Sequence, residues 1–419
     1  MMKHLKLLTA TTVIALTSTS AISYDVVDRY KLIDDKIKTE QMLRPIGHDF
    51  FLDIGATINK NITSVIKDIS DASKTGTSTD KLTAAQNLLA KYDKTEQTIK
   101  LNVALGFPVF SFTAFNVKVR PNVRVFVDGG ANLGIRSDAL VLQDIYNLFP
   151  VAVPEDLKTF IASETAGSDI IADCIASASL AATTKALCAT QKTGTYIMPN
   201  LTASVPNIQL FAKLDGKAGL FNEYSYGEHF FGDFNLYALS RTDIYQRVTK
   251  DMIAAGAKIE LPKKKNTEMS AQLDYRLGYK NDNYSAAVSL EEIKVAKMKE
   301  REAESKEHSY GYSPLLRLHA DALYRFSMLS LKPFVGLHKR SGYGFGDGIY
   351  LGADAGAHVW GDRLGLQLRG MVDKQYFTIS PRMKLWLMQL EYSIKAPMKS
   401  MDGDVKLSAL QSVDLRFFF

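Results

Sequence analysis

The sequence predicts an all-β fold: a closed, antiparallel, membrane-crossing β-barrel of roughly 12–16 strands, carrying helical insertions. Three observations point there. Runs in the second half alternate apolar and polar residues with period two, the final residues do the same and end on Phe419, and the first residues read as an export signal.

Composition frames these patterns. Of 419 residues, 46% are hydrophobic and 23% charged, which excludes a disordered or collagen-like chain. A spanning helix needs ~20 consecutive apolar residues, and nothing beyond the export signal supplies them. Two cysteines are too few for a disulfide-built scaffold or a Cys-rich metal domain.

Residues 1–23 read as a signal peptide. Lys3, His4 and Lys6 form a basic start, Leu7 to Leu16 an apolar stretch broken by threonines, and Thr17 to Ser23 a small-residue exit. Cleavage fits after Ser23 or Ala21. No cysteine sits at the exit, so a lipidated N-terminus is excluded. Removal takes away Lys3 and Lys6 and no acid, so the net charge falls from +6 to +4. That mild basicity does not argue for a nucleic-acid partner.

Residues 24–49 read as an N-terminal helical segment, amphipathic over 25–43, and 50–419 as the barrel. Candidate strands in the first half are 50–58, 100–110, 111–119, 123–135, 194–203, 206–215, 229–241 and 252–261. Two insertions are helical. In 59–98, Ile62, Val65, Ile66 and Ile69 fall at helical spacing; Gly76 to Thr79 break the chain, and Asp80 can cap a second helix. The stretch 138–192 is rich in Ala and Ser and holds both cysteines. A third, 291–313, reads as a charged excursion, because 291–307 carries eleven charged residues in seventeen.

The second half alternates more clearly. Leu316, Leu318, Ala320, Ala322, Tyr324 and Phe326 share one face, and Arg317, His319, Asp321 and Arg325 the other. Ile349, Leu351, Ala353, Ala355, Ala357 and Val359 alternate with polar and small residues that include Asp354. Leu364, Leu366 and Leu368 alternate with Gly365, Gln367 and Arg369, and Ala271 to Tyr279 repeats the pattern. Each run is close to the ~9–11 residues that a tilted strand needs to cross a bilayer. Asn281-Asp282-Asn283, Gly361-Asp362 and Asp402-Gly403 supply hairpin chemistry. The charged rows need water or partners, which a lumen provides. Arg317, His319, Asp321, Arg325, Asp354, Arg363, Arg369, Asp414 and Arg416 are therefore the expected lumen-lining residues.

The chain ends Val413-Asp414-Leu415-Arg416-Phe417-Phe418-Phe419. With Val413, Leu415, Phe417 and Phe419 on one row, it resembles the terminal strand of Gram-negative outer-membrane β-barrels. That resemblance implies the outer membrane as location, its lipid as surroundings, and barrel-assembly machinery as the partner that reads this end. Helices followed by long strands over 59–135 resemble, in architecture, exported barrels described as conjugal-transfer outer-membrane proteins; the likeness transfers no functional residue. Counting strands back from a periplasmic C-terminus puts Ser327 and Gly361-Asp362 outside and 291–313 in the periplasm, the reverse of the usual arrangement of long outer loops.

Cys174 and Cys188 would stand ~21 Å apart on one continuous helix, so a bridge requires a turn, near Leu180–Thr184; otherwise they are two separate thiols. An oxidising compartment favours the bridge. His319 and His338 lie on neighbouring strands about three residues apart in height, ~10 Å, and read as hydrated lumen side chains, with no metal site. Gly342, Gly344, Gly346 and Gly348 read as a flexible loop, lacking a phosphate-cradle spacing. No GxSxG or Ser-His-Asp set suggests an enzyme, and nothing calls for a cofactor. The expected function is porin- or channel-like passage of a small solute. The alternative is a plugged barrel serving as a structural, adhesion or assembly component, and the sequence carries no signal for oligomeric state.

Overall fold

In the computed structural model the described residues are 25–43, 50–73, 78–139, 142–146, 149, 152–190, 198, 204–248, 265–300, 310–311, 313–359 and 364–419. The signal-peptide region 1–23, Arg363, the Gly361-Asp362 turn and the candidate strands 194–203 and 252–261 lie outside them, Met198 apart.

Fourteen antiparallel strands close into a barrel. They are β1 Phe51–Asn59, β2 Thr95–Pro108, β3 Val117–Ala139, β4 Ser204–Tyr226, β5 Phe230–Val248, β6 Asn266–Lys280 and β7 Tyr284–Lys299. There follow β8 Leu315–Ala322, extended by Tyr324–Phe326, then β9 Leu329–Lys339, β10 Ile349–Val359, β11 Leu364–Asp373, β12 Tyr376–Leu385, β13 Met388–Pro397 and β14 Leu410–Phe418. Each strand pairs with its sequence neighbours, and β1 pairs with β14 from Phe51↔Phe418 to Asn59↔Leu410. Closure satisfies the backbone groups that an open edge would expose to lipid. Among the described residues no helix is long and apolar enough to cross a membrane.

The two faces of the wall are inverted relative to a water-soluble protein. The outward row is apolar and exposed: Leu101 is 58%, Leu368 52% and Val413 47% accessible. An uninterrupted apolar surface of this kind requires lipid. The inward row is polar and buried; Arg241, Arg340, Arg369, Lys100 and Lys395 are among the largest fully buried side chains.

The two ends also differ. One carries the C-terminus and short connections: 227–229, 281–283, 327–328 and 386–387 join consecutive strands there. Its rim is aromatic and exposed, with Phe112, Phe115, Tyr226, Phe230, Tyr284, Phe326 and Trp386, as expected where a barrel meets a membrane–water interface. The strand ends that flank the long connections 60–94, 140–203, 249–265 and 300–314 all lie at the opposite end. The Ser327 turn is therefore at the same end as Phe419: the count back from the C-terminus missed one strand, while the total of fourteen falls within the expected 12–16. Residues 376–397 form two strands, turned at Trp386-Leu387.

Residues 111–119 make no separate strand; Phe112–Ala114 pairs back on Val117–Val119 at a hairpin tip. The 123–135, 206–215 and 229–241 segments belong to longer strands of 23, 23 and 19 residues. Within 59–98 the helices are Ile62–Ser73 and Ser78–Tyr92, while residues 95–98 begin β2. This hairpin is not a plug. Val65, Leu88, Leu89 and Tyr92 pack on Leu133 and Ile135, which continue the outward row of Val123, Val125 and Val127.

The excursion at 291–313 is part wall: β7 runs to Lys299. Asp274 stands opposite two residues, Glu291 and Glu292, because Leu273 pairs with Ile293 and Tyr275 with Leu290. The extra residue is a β-bulge, and Glu292 adopts φ 57° there. Both carboxylates consequently point inward. The segment Gly342 to Gly348 is not a free loop either, since Gly346, Asp347 and Gly348 are buried.

The insertion between β3 and β4 holds four short helices within 142–190, packed on Ile145, Phe149, Val153, Leu157, Ile161, Ile170, Ile171 and Leu180. Cys174 and Cys188 sit on Ile170–Ala176 and Ala182–Thr190, are disulfide-bonded, and are separated by a turn at 177–181.

Candidate functional site in the barrel interior

The lumen is filled by a helix, α1, Val26–Met42. Asp25 caps it, its carboxylate accepting from the Asp28 amide at 2.7 Å. Eleven of its seventeen residues are buried, on every side, and they include Arg29, Asp34, Asp35, Lys36 and Glu40. Charges withdrawn from water this way need partners, and the wall provides them.

Near its start, Arg29 meets Glu96 at 3.3 Å and Asp404 at 3.2 Å. Asp34 meets Lys100, Lys213 at 3.0 Å, Lys38 at 2.8 Å and the Tyr310 hydroxyl at 2.9 Å. Asp35 receives a two-pronged contact from Arg340 at 2.9 and 3.1 Å, and the Tyr343 hydroxyl donates to it at 3.0 Å. Lys36 donates to Asp373 at 2.7 Å and Gln375 at 2.8 Å, and Glu40 pairs with Lys395. The last turn of a helix leaves carbonyls unpaired. Arg369 donates to the Glu40 and Leu43 carbonyls, both at 3.2 Å, while Arg317 reaches the Thr39 hydroxyl.

Apolar contacts are few by comparison. Val26, Val27 and Tyr30 pack with Phe211 and Tyr310, Leu32 with Tyr343, and Leu43 with Phe334, Tyr350 and Met371.

Behind the Asp34–Asp35 level the wall carries its own ion pairs. Arg241 holds Asp215 at 2.8 Å and Glu292 at 3.3 Å; Glu292 also meets Arg340 at 2.8 Å and Lys217 at 3.1 Å. The Tyr310 ring lies 4.2 Å from Lys213 Nζ and 4.5 Å from Arg241 Cζ, so its π face supports the same cations. Asp34, Asp35, Asp215 and Arg241 are each 0% accessible and Lys213 3%.

Several residues singled out from sequence meet here. Arg317 also pairs with Glu291 at 2.8 Å, and Arg369 with Asp354 at 2.7 Å. Arg416 pairs with Asp53 across the barrel seam, and Asp414 is buried on the same inward row. His319 approaches Asp321 at 3.3 Å and the Tyr350 hydroxyl at 3.2 Å. Arg325 stands apart, exposed beside the Ser327 turn at the aromatic rim. Val413, Leu415 and Phe417 point outward, and Phe419 stacks against Phe417 and meets Phe50 edge to face. His338 faces Arg317, two residues along from His319 rather than three, and its Nδ1 lies 2.9 Å from the Tyr343 hydroxyl. His338 is buried rather than hydrated, while His319 stays partly exposed.

Sequence reasoning missed Asp34, Asp35, Lys36, Glu40, Lys100, Lys213, Arg241, Glu292 and Arg340. Adjacent acids in a helix that precedes the strands, and single lysines in otherwise apolar-alternating runs, were the available signals.

No family model matches the sequence, and no curated protein matches it. Similar solved structures are outer-membrane barrels. The transport unit of the autotransporter AIDA-I from Escherichia coli is 6% identical, with 95% of this chain and 100% of that one covered and a TM-score of 0.36. A Pseudomonas aeruginosa FadL homologue is 10% identical over 77% of this chain and 68% of that one, with a TM-score of 0.31. The β domain of the Bordetella autotransporter BrkA is 6% identical over 88% and 99%, with a TM-score of 0.29.

Proposed function

We propose that this protein is an outer-membrane barrel closed by its own N-terminal helix, and that it passes a small solute through the charged lumen when α1 withdraws. The observation that supports this is the polar character of the contact between α1 and the wall: Arg29, Asp34, Asp35, Lys36 and Glu40 each meet a charged wall side chain. Desolvation largely offsets the attraction in buried ion pairs. A helix held this way can exchange its partners for water at modest net cost, whereas withdrawing an apolar helix would forfeit about 25 cal/mol for every Å² re-exposed. Withdrawal would also leave a lumen lined by hydratable charges.

Export directed by residues 1–23, assembly through the Val413–Phe419 end, and residence in the outer membrane of a Gram-negative cell belong to the same reading. The short turns and the aromatic rim then face the periplasm, and the long connections face outside.

Planar-bilayer conductance of the whole chain, compared with a variant lacking residues 26–42, tests it. The whole chain should stay closed with rare openings, and the variant should conduct steadily. A variant that inserts folded but leaves the bilayer sealed would sink the reading. That result would favour a barrel component without transport whose working part is the β3–β4 insertion. The separate apolar core and disulfide of that insertion support this second reading.

A further inference from the structure

We propose that the wall around Asp34 and Asp35 is a binding site for a small dianion, a dicarboxylate or a phosphorylated solute, whose place the two α1 carboxylates hold at rest. The inference rests on the gated-passage reading and names the solute class for it.

The ion-pair network that contains Asp34 and Asp35 includes five wall cations, Lys100, Lys213, Lys217, Arg241 and Arg340, and three wall acids, Asp128, Asp215 and Glu292. These eight wall groups together carry a surplus of two positive charges. Asp34 and Asp35 offset that surplus, while Lys38 of α1, in the same network, adds one positive charge at rest and leaves together with them. The donors are also set for oxygen acceptors. Arg340 offers its planar fork, Lys213 its ammonium, and Tyr310 and Tyr343 their hydroxyls.

The wall is built around this arrangement. Arg340 is anchored from behind, donating to Glu292 at 2.8 Å and to the Ser313 carbonyl at 2.7 Å, while Arg241 donates to the Gly311 carbonyl at 2.7 Å. Glu292 takes its position only through the β7 bulge and a left-handed backbone. A wall that merely repelled cations would not need two guanidinium groups locked in place. These contacts preorganise donors for an anion, so binding would require little reorganisation.

The experiment uses the full chain with Asp34→Ala and Asp35→Ala, which removes the resident carboxylates and keeps α1. Folding is scored by heat-modifiable gel migration. Binding is read by titration calorimetry with inorganic phosphate and, separately, succinate. The expected result is one site per chain, at least tenfold tighter than in the unmodified protein and lost when Lys213→Gln and Arg340→Gln are added. Tighter phosphate would indicate a phosphorylated solute, and tighter succinate a dicarboxylate. A folded double variant that binds neither anion, or an unmodified chain that binds them as tightly, would overturn the proposal. If the double variant does not fold, the single variant Asp35→Ala is titrated under the same criteria. Calorimetry needs no open pore, so a sealed bilayer with an intact anion site would count against gated passage alone.

Discussion

Two helical regions of this chain are held in opposite ways. α1 is buried on every side, and its contacts are mostly charge to charge, with Asp35 on Arg340, Lys36 on Asp373 and Glu40 on Lys395. The β3–β4 insertion has its own apolar core around Leu157, Ile161 and Ile171, closed by the Cys174–Cys188 bridge. Apolar burial and a covalent link keep an element folded whatever its neighbours do. Charge pairing makes an element dependent on its partners and exchangeable with water. On the proposed reading α1 is the moving part and the insertion the fixed one.

The sharpest way to break the comparison is to unbalance α1. Arg340→Met leaves buried Asp35 without its guanidinium partner and takes one of three cations from Glu292, which keeps Arg241 and Lys217, and should destabilise the barrel by about 3–5 kcal/mol. Arg340→Met combined with Asp35→Leu and Glu292→Gln should recover most of that loss, because the charges are removed together. Urea unfolding in micelles, followed by gel migration, reads both. Failure of the combined variant to recover would mean that α1 is held by shape rather than by charge.

Removing the bridge with Cys174→Ser and Cys188→Ser should cost the insertion about 3 kcal/mol and leave conductance unchanged. Proteolysis of residues 152–190 in the folded barrel measures the first, and a bilayer recording the second. A change in conductance would show that the insertion and α1 are coupled.

The smallest effect concerns pH. The Thr184 hydroxyl donates to Asp156 at 2.7 Å and holds its carboxyl below the ordinary range. A depressed folded pKa means that the contribution is present above the unfolded value, ~3.9, and is lost as pH falls through the folded one. Hydrogen exchange in Glu155–Ser163 should therefore rise on acidification below about pH 4, and Thr184→Ala should flatten that response. An identical pH response in the variant would remove Thr184 from the account.

How much was legible follows from the physics of each element. The outward rows of β8, β10 and β11 could be read because a lipid-facing strand repeats every two residues. The Trp386-Leu387 turn could not, because it contains no Gly, Asn or Pro and its exposed apolar tip resembles strand sequence. That one turn reversed the strand count and hence the apparent position of 291–313. The inward rows containing Arg317, Arg369 and Arg416 were also readable as polar rows, but not what they face. Glu292 escaped notice because a bulge breaks the alternation on which the reading depended.

The sequence alone determined a closed barrel with one apolar and one charged face, because periodicity and end residues are local properties. Only the tertiary structure decided that the lumen is occupied, and by which segment. Asp35 and Arg340 are 305 positions apart, and charge complementarity over such a separation leaves no periodic trace in the chain.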